Sequence, residues 1–121
     1  MHTRDMTDEQ KLQVMANYAK VLLSHAHMNQ GEFMSLIDSN TISELGIAKA
    51  LELIGEHAYY VSQFGRSEYP EIDYEYWSVW RQDLTHGYTG VAKRDMWDAV
   101  WKHIPVLCRT LEEYGFTARE P

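Results

Sequence analysis

Residues 41–61, TISELGIAKALELIGEHAYYV, decide the fold because they carry a long helical pattern of apolar side chains. These side chains recur every three or four residues, which is the spacing of one helix face. They are Leu45, Ala48, Leu51, Ile54, Ala58 and Val61. Thr41 and Glu44 stand at the spacing of a capping box, so we predict that the helix begins there.

Gly55 lies inside this predicted helix, where glycine is unfavourable. A glycine in a helix interior costs about 1 kcal/mol relative to alanine. We therefore expect a second helix to pack closely against the first at this position.

Helical patterns cover most of the remaining sequence. Thr7 and Gln10 have capping-box spacing ahead of a predicted helix at about residues 8–28. Further helices are predicted at 32–38, at 73–86 with Gly87 as the C-terminal cap, and from Lys93 onward, with a loop at 65–73. No convincing strand pattern appears. Residues 1–121 are therefore predicted to form a single all-α domain, an up-down bundle of four to five helices.

The last predicted helix has the clearest apolar stripe. Its members are Trp97, Val100, Trp101, Ile104, Leu107, Cys108, Leu111 and Tyr114. We interpret this stripe as core or interface packing, not as a cofactor site. Pro105 lies inside the helix and should kink it. The aromatic cluster of Tyr74, Tyr76, Trp77 and Trp80 has two interpretations, stacking of RNA bases or core packing, and the second is favoured.

Composition restricts the class of protein. The N-terminus MHTRDMTDEQ lacks the apolar core of a signal peptide, and no apolar run approaches the length of a membrane span. Cys108 is the single cysteine among 121 residues, so no intrachain disulfide can form. We expect a cytoplasmic protein without membrane contact.

His25 and His27 are two residues apart, which is poor spacing for a helical metal site, and no metal is expected.

The net charge of −7 acts against nucleic-acid binding, because the chain as a whole repels phosphates. Any RNA function would need a local basic patch or a dimer cleft that gathers positive charge. The best patch consists of Lys93, Arg94, Lys102 and Arg109, although a solvated face is the simpler interpretation.

Residues 81–88, RQDLTHGY, form the candidate site. Arg81 offers a planar set of donors that matches phosphate oxygens, and His86 can exchange a proton near neutral pH. Together they suit cleavage of RNA through its 2′-hydroxyl without a metal. On a regular helix the two side chains point about 140° apart. A helix end at Gly87, or a second chain, could bring them together; otherwise the segment is a solvated helix end.

Four stretches carry a family resemblance. They are ALELIGEHA at 50–58, YPEIDYEYW at 69–77, RQDLTHGY at 81–88 and GVAKRDMWDAVWKHIPVL at 90–107. In this order and at these separations, the chain resembles the HepT-like proteins of the HEPN superfamily, from about Leu12 to Glu113. Where many relatives read Gly-Met-Arg-Asn, this chain has VWRQ, with Val79, Trp80 and Gln82 as the departures.

The resemblance implies a homodimeric, metal-independent endoribonuclease toxin without a cofactor. It assigns Arg81 and His86 as the catalytic pair and Gln82 as a supporting polar residue. It implies a partner encoded nearby, a nucleotidyltransferase antitoxin of the MNT type, which attaches AMP to Tyr88. Two alternatives stay open: a module that binds nucleotides or nucleotidyltransferases without turnover, and a scaffold that has lost the activity. Glu56, beside His57, could lie near the cleft, but we favour a helix-surface or inter-helix hydrogen bond.

Overall fold

The computed structural model describes residues 2–85 and 93–119, except for the side chains of residues 82–85. The helices are α1 (Asp8–Leu23), α2 (Gln30–Ser39), α3 (Thr41–Tyr60), α4 (Gln63–Glu68), α5 (Tyr74–Thr85), α6 (Lys93–Asp98) and α7 (Ile104–Glu113). A π-helical turn, Ala99–His103, joins α6 to α7. Five of these helices have seven or more residues, and the described residues contain no strand, so the predicted all-α class is confirmed.

The start of α1 is confirmed and its predicted end at about residue 28 is wrong. The Thr7 hydroxyl accepts from the Gln10 amide at 3.0 Å, and the Gln10 side chain accepts from the Thr7 amide at 2.8 Å. The helix ends at Leu23. Beyond it, the amides of His25 and Ala26 donate to carbonyls three residues back, which tightens the chain into turns.

Asparagine side chains, not the predicted threonine, define the next two helix starts. Asn29 forms a capping box with Glu32, so α2 is longer than the predicted 32–38. Asn40 ends α2 and also caps α3, where its side chain accepts from the Ser43 amide at 3.1 Å. The capping box predicted at Thr41 is therefore wrong, because Thr41 is already the first helical residue.

The predicted loop at 65–73 contains part of a helix. Ser62 caps α4 by accepting from the Gly65 amide at 3.0 Å, and the helix runs to Glu68. With six residues, α4 is too short to show an apolar period, and its cap was the available signal. The rest of the loop leads into α5, which starts within one residue of the prediction.

A π turn, Ala99–His103, comes just before Pro105, where the sequence predicts a kink. Pro105 has no amide hydrogen, and in the turn before it the Ile104 amide donates to the Ala99 carbonyl, five residues back. The wider turn changes the helix register. Val100 and Ile104 are fully buried, as the apolar stripe predicts, whereas Trp101, also predicted on the stripe, is 43% exposed and lies outside the core.

The buried apolar residues form one cluster centred on α3, which packs against α1, α2 and α5. The largest fully buried side chains are Leu12, Met15, Leu22, Phe33, Ile37, Leu51, Ile54, Met96, Val100, Ile104 and Leu111. Leu45, predicted on the buried face of α3, is exposed in its first turns. Cys108 is buried, and this burial raises the pKa of its thiol to about 11, so the thiol stays protonated at neutral pH.

The aromatic cluster on α5 belongs to the core. Tyr74, Trp77 and Trp80 are each less than a tenth exposed, which confirms the packing interpretation over base stacking. Tyr76 is half-buried, and its ring stacks on His103 with centroids 4.1 Å apart. Within the described residues, none of the helices combines the length and the apolar character needed to cross a membrane.

Candidate functional site

The crossing of α3 and α5 positions the candidate site. A Cβ atom added to Gly55 would lie 2.6 Å from the Trp77 carbonyl oxygen and 2.7 Å from the Arg81 amide nitrogen. These contacts are to backbone, so only a residue without a side chain lets α5 lie this close. The close packing predicted at Gly55 is confirmed, and it places the start of the RQDLTHGY segment directly on α3.

Arg81 is half-buried and lies beside two tyrosines at the end of α3. Its Nη2 donates a hydrogen bond of 3.3 Å to the Tyr60 hydroxyl. Its Cζ atom lies 4.2 Å from the centre of the Tyr59 ring and 5.4 Å from that of Tyr60. The guanidinium therefore has both a hydrogen-bond acceptor and an aromatic face to define its position. We call Tyr59 and Tyr60 the tyrosine pair.

The backbone beneath the tyrosine pair is anchored to α1. Lys11 is buried, and its Nζ donates to the Tyr60 carbonyl at 2.7 Å. Asp8 accepts from the Ser62 amide at 2.9 Å and lies 3.6 Å from Lys11 Nζ. Partial burial acts to raise the pKa of Asp8, but the Ser62 hydrogen bonds and the Lys11 charge leave it below its ordinary value. This carboxylate is therefore ionised at neutral pH, and the anchor is intact there.

The remaining predicted site residues fall at or beyond the limit of the described chain. Gln82 lies on α5, but its side chain is outside the described residues, as are His86, Gly87 and Tyr88. The proximity of Arg81 and His86 therefore remains a prediction, and so does the helix cap at Gly87.

The family comparison agrees with the sequence resemblance. Residues 11–114 match the HepT-like family, whose description is Ribonuclease HepT-like. This chain belongs to the HepT-like ribonuclease family. The match extends over α1 to α7 and includes the segment that carries Arg81. No solved structure shows significant similarity to the chain.

The basic residues of this HepT-like chain lie on its surface. Lys93, Arg94, Lys102 and Arg109 are all exposed. Lys93 forms an ion pair with Asp38 of α2, which offsets part of the positive charge. These residues therefore give a weaker basic patch than their number indicates.

Other polar groups in this HepT-like chain have structural roles. His57 is buried, not on the helix surface, and its Nδ1 lies 2.7 Å from the Leu53 carbonyl oxygen one turn earlier in the same helix. Among residues 2–85 and 93–119, no group of three or more His, Cys, Asp or Glu side chains is arranged to hold a metal ion.

The tyrosine pair is the part of the candidate site that sequence reasoning missed. The available signal was two adjacent tyrosines, Tyr59 and Tyr60, one turn after Gly55 at the end of an apolar helix. Once Gly55 is taken as the crossing point, a long side chain from α5 can reach that turn. The side chain of Arg81 does so because helical side chains point back toward the start of their own helix.

Proposed function

We propose that this HepT-like chain is the toxin of a HEPN/nucleotidyltransferase toxin–antitoxin pair. In this proposal it is a cytoplasmic, homodimeric endoribonuclease that cleaves RNA without a metal. The observation that carries the proposal is the half-buried Arg81 guanidinium, held beside Tyr59 and Tyr60 at a tight helix crossing. The family match supports ribonuclease activity at the level of the family.

Arg81 and His86 divide the chemistry of the proposed reaction. His86 takes the proton from the 2′-hydroxyl, whose oxygen then bonds to the adjacent phosphorus as the bond to the 5′-oxygen breaks. The protonated imidazole returns its proton to that leaving oxygen. Arg81 holds the phosphate oxygens and stabilises the charge that builds on them. The products are a 2′,3′-cyclic phosphate and a 5′-hydroxyl, and Gln82 supplies a further amide donor.

A homodimer addresses two physical difficulties of the proposed site. On a regular helix the Arg81 and His86 directions diverge by about 140°, so a second copy can supply the missing partner. The net charge of −7 also opposes RNA binding by a single chain. A shared cleft that gathers Arg81 from both copies would concentrate positive charge where the phosphate binds.

Tyr88 is the proposed point of control by the nucleotidyltransferase. Attachment of AMP to its hydroxyl would add a negative charge and a bulky group two residues from His86. The modified chain would repel the RNA phosphate that Arg81 must bind. The antitoxin would in this way block the site without unfolding the toxin.

Cleavage of RNA in EDTA tests the proposal. Wild-type protein is expected to cut RNA in the presence of the chelator, and His86→Ala should reduce the rate about a hundredfold or more, since it removes the general acid–base. His27→Ala is the matched control, because His27 is exposed and distant in sequence, and it should cleave like wild type. Equal cleavage by wild type and His86→Ala would contradict the proposal.

The rival function is a binding module that holds a nucleotide or a nucleotidyltransferase without turnover. The net charge of −7 favours it, because an acidic chain is a poor ligand for free RNA. Growth of cells that express the protein distinguishes the toxin from the binding module. A toxin arrests growth and Arg81→Ala relieves the arrest, whereas a binding module leaves growth unchanged in both forms.

A further inference from the structure

We propose that Tyr59 and Tyr60 are positioning residues that orient the Arg81 guanidinium to stabilise the transition state at the scissile phosphate. The inference rests on the proposed ribonuclease function and adds two residues that lie outside the RQDLTHGY segment at 81–88. Neither tyrosine needs to touch the RNA; each acts through Arg81.

The two tyrosines constrain Arg81 in different ways. The Tyr60 hydroxyl accepts one guanidinium N–H at 3.3 Å, which fixes the rotation of the group about its side chain. The Tyr59 ring lies against Cζ at 4.2 Å, and this cation–π contact fixes the group without using an N–H donor. The Tyr59 and Tyr60 rings also meet edge to face, with centroids 5.0 Å apart, so each limits the movement of the other.

Exposure distinguishes the tyrosine pair from the core aromatics of α5. Tyr59 is 44% exposed, whereas Trp77 and Trp80 are almost fully buried. Arg81 itself is only partly buried, so it is not enclosed in the core with these tryptophans.

The same region contains an arginine with a structural role, which serves for comparison. Arg66 donates to the carbonyls of Ala58, Tyr59 and Val61 and so closes the end of α3. With Lys11 bonded to the Tyr60 carbonyl, the backbone of the tyrosine pair is held by two other cations. The side chains of Tyr59 and Tyr60 can therefore be altered without removing the bonds that end the helix.

Four variants separate a positioning role from a structural one. Tyr60→Phe removes only the hydroxyl, Tyr59→Phe keeps the aromatic face, and Tyr59→Leu removes that face. Tyr69→Phe is the matched control, because its hydroxyl also makes a hydrogen bond of 3.3 Å, to Glu9. Circular dichroism and thermal melting establish that each variant is folded.

We expect Tyr60→Phe and Tyr59→Leu to lower kcat for RNA cleavage about tenfold each with little change in KM, because a misdirected guanidinium stabilises the transition state less well. Tyr59→Phe and Tyr69→Phe should match wild type. In an Arg81→Ala background, the tyrosine substitutions should have no further effect. Folded Tyr60→Phe and Tyr59→Leu proteins with wild-type kcat would overturn the inference while leaving the proposed function in place.

Nuclear magnetic resonance of the Arg81 side chain tests the positioning independently of cleavage. In wild type the Arg81 Nε–H signal should be shifted by the Tyr59 ring, and the shift should be lost in Tyr59→Leu and kept in Tyr69→Phe. An Arg81 Nε–H signal that is unchanged in Tyr59→Leu would overturn the inference. Absence of cleavage by wild type would overturn the proposed function, whatever the spectrum shows.

Discussion

Substitution of Gly55 by alanine is expected to lower the free energy of unfolding by about 1–3 kcal/mol. The added Cβ would lie 2.6 Å from the Trp77 carbonyl oxygen and 2.7 Å from the Arg81 nitrogen, and backbone atoms cannot rotate away. Helices α3 and α5 must therefore separate, which outweighs the gain of about 1 kcal/mol in helix propensity. Urea denaturation followed by circular dichroism measures the change.

The chain contains a matched control for this substitution in the same helix. A Cβ on Gly46 would meet nothing within 4 Å, so Gly46→Ala should raise the free energy of unfolding by up to about 1 kcal/mol. The opposite signs expected for two glycine substitutions in α3 isolate the effect of the crossing. If Gly55→Ala stabilised the protein as Gly46→Ala does, the close contact between α3 and α5 would be wrong.

Substitution of Arg81 by lysine is expected to reduce RNA cleavage about a hundredfold or more, although the charge is retained. Lysine lacks the planar set of donors that binds phosphate oxygens in pairs, and it cannot keep the same contacts with Tyr59 and Tyr60. Single-turnover cleavage with saturating enzyme measures the loss in the chemical step.

Arg109→Lys provides the comparison, because Arg109 is an exposed arginine of the last helix and its replacement should leave the rate unchanged. Both proteins carry the same net charge as wild type, so a general electrostatic effect cannot separate them. Wild-type cleavage by Arg81→Lys would show that a positive charge suffices and that the geometry around Arg81 has no part in the reaction.

The spacing of apolar residues predicts which segments are helical. It predicts less well the residues at which each helix begins and ends. The pattern from Ala48 to Val61 was sufficient to predict α3, because burial of one helix face requires that spacing. Asn40 and Thr41 are both good caps, and the spacing to Glu44 favours Thr41, whereas Asn40 is the residue that caps α3. The spacing of a regular helix places Trp101 in the core, whereas Trp101 lies in the π turn and is exposed.

The candidate site could be predicted in part. Gly55 indicated a close crossing because a glycine in a helix needs a compensating contact, and the crossing lies where expected. The contact of Arg81 with Tyr59 and Tyr60 depends on how α5 lies on α3, and no periodicity in a single chain encodes that geometry. The roles assigned to His86, Gln82 and Tyr88 remain predictions.

The most direct test of the central claim uses an RNA with one oxygen removed. The position cut by wild-type protein in EDTA is first mapped, and the RNA is then made with a single 2′-deoxynucleotide on the 5′ side of that bond. We expect the all-ribose RNA to give a fragment ending in a 2′,3′-cyclic phosphate, and we expect cleavage at the deoxy position to disappear. Continued cleavage at the deoxy position, or fragments that end in a 3′-hydroxyl, would contradict the central claim.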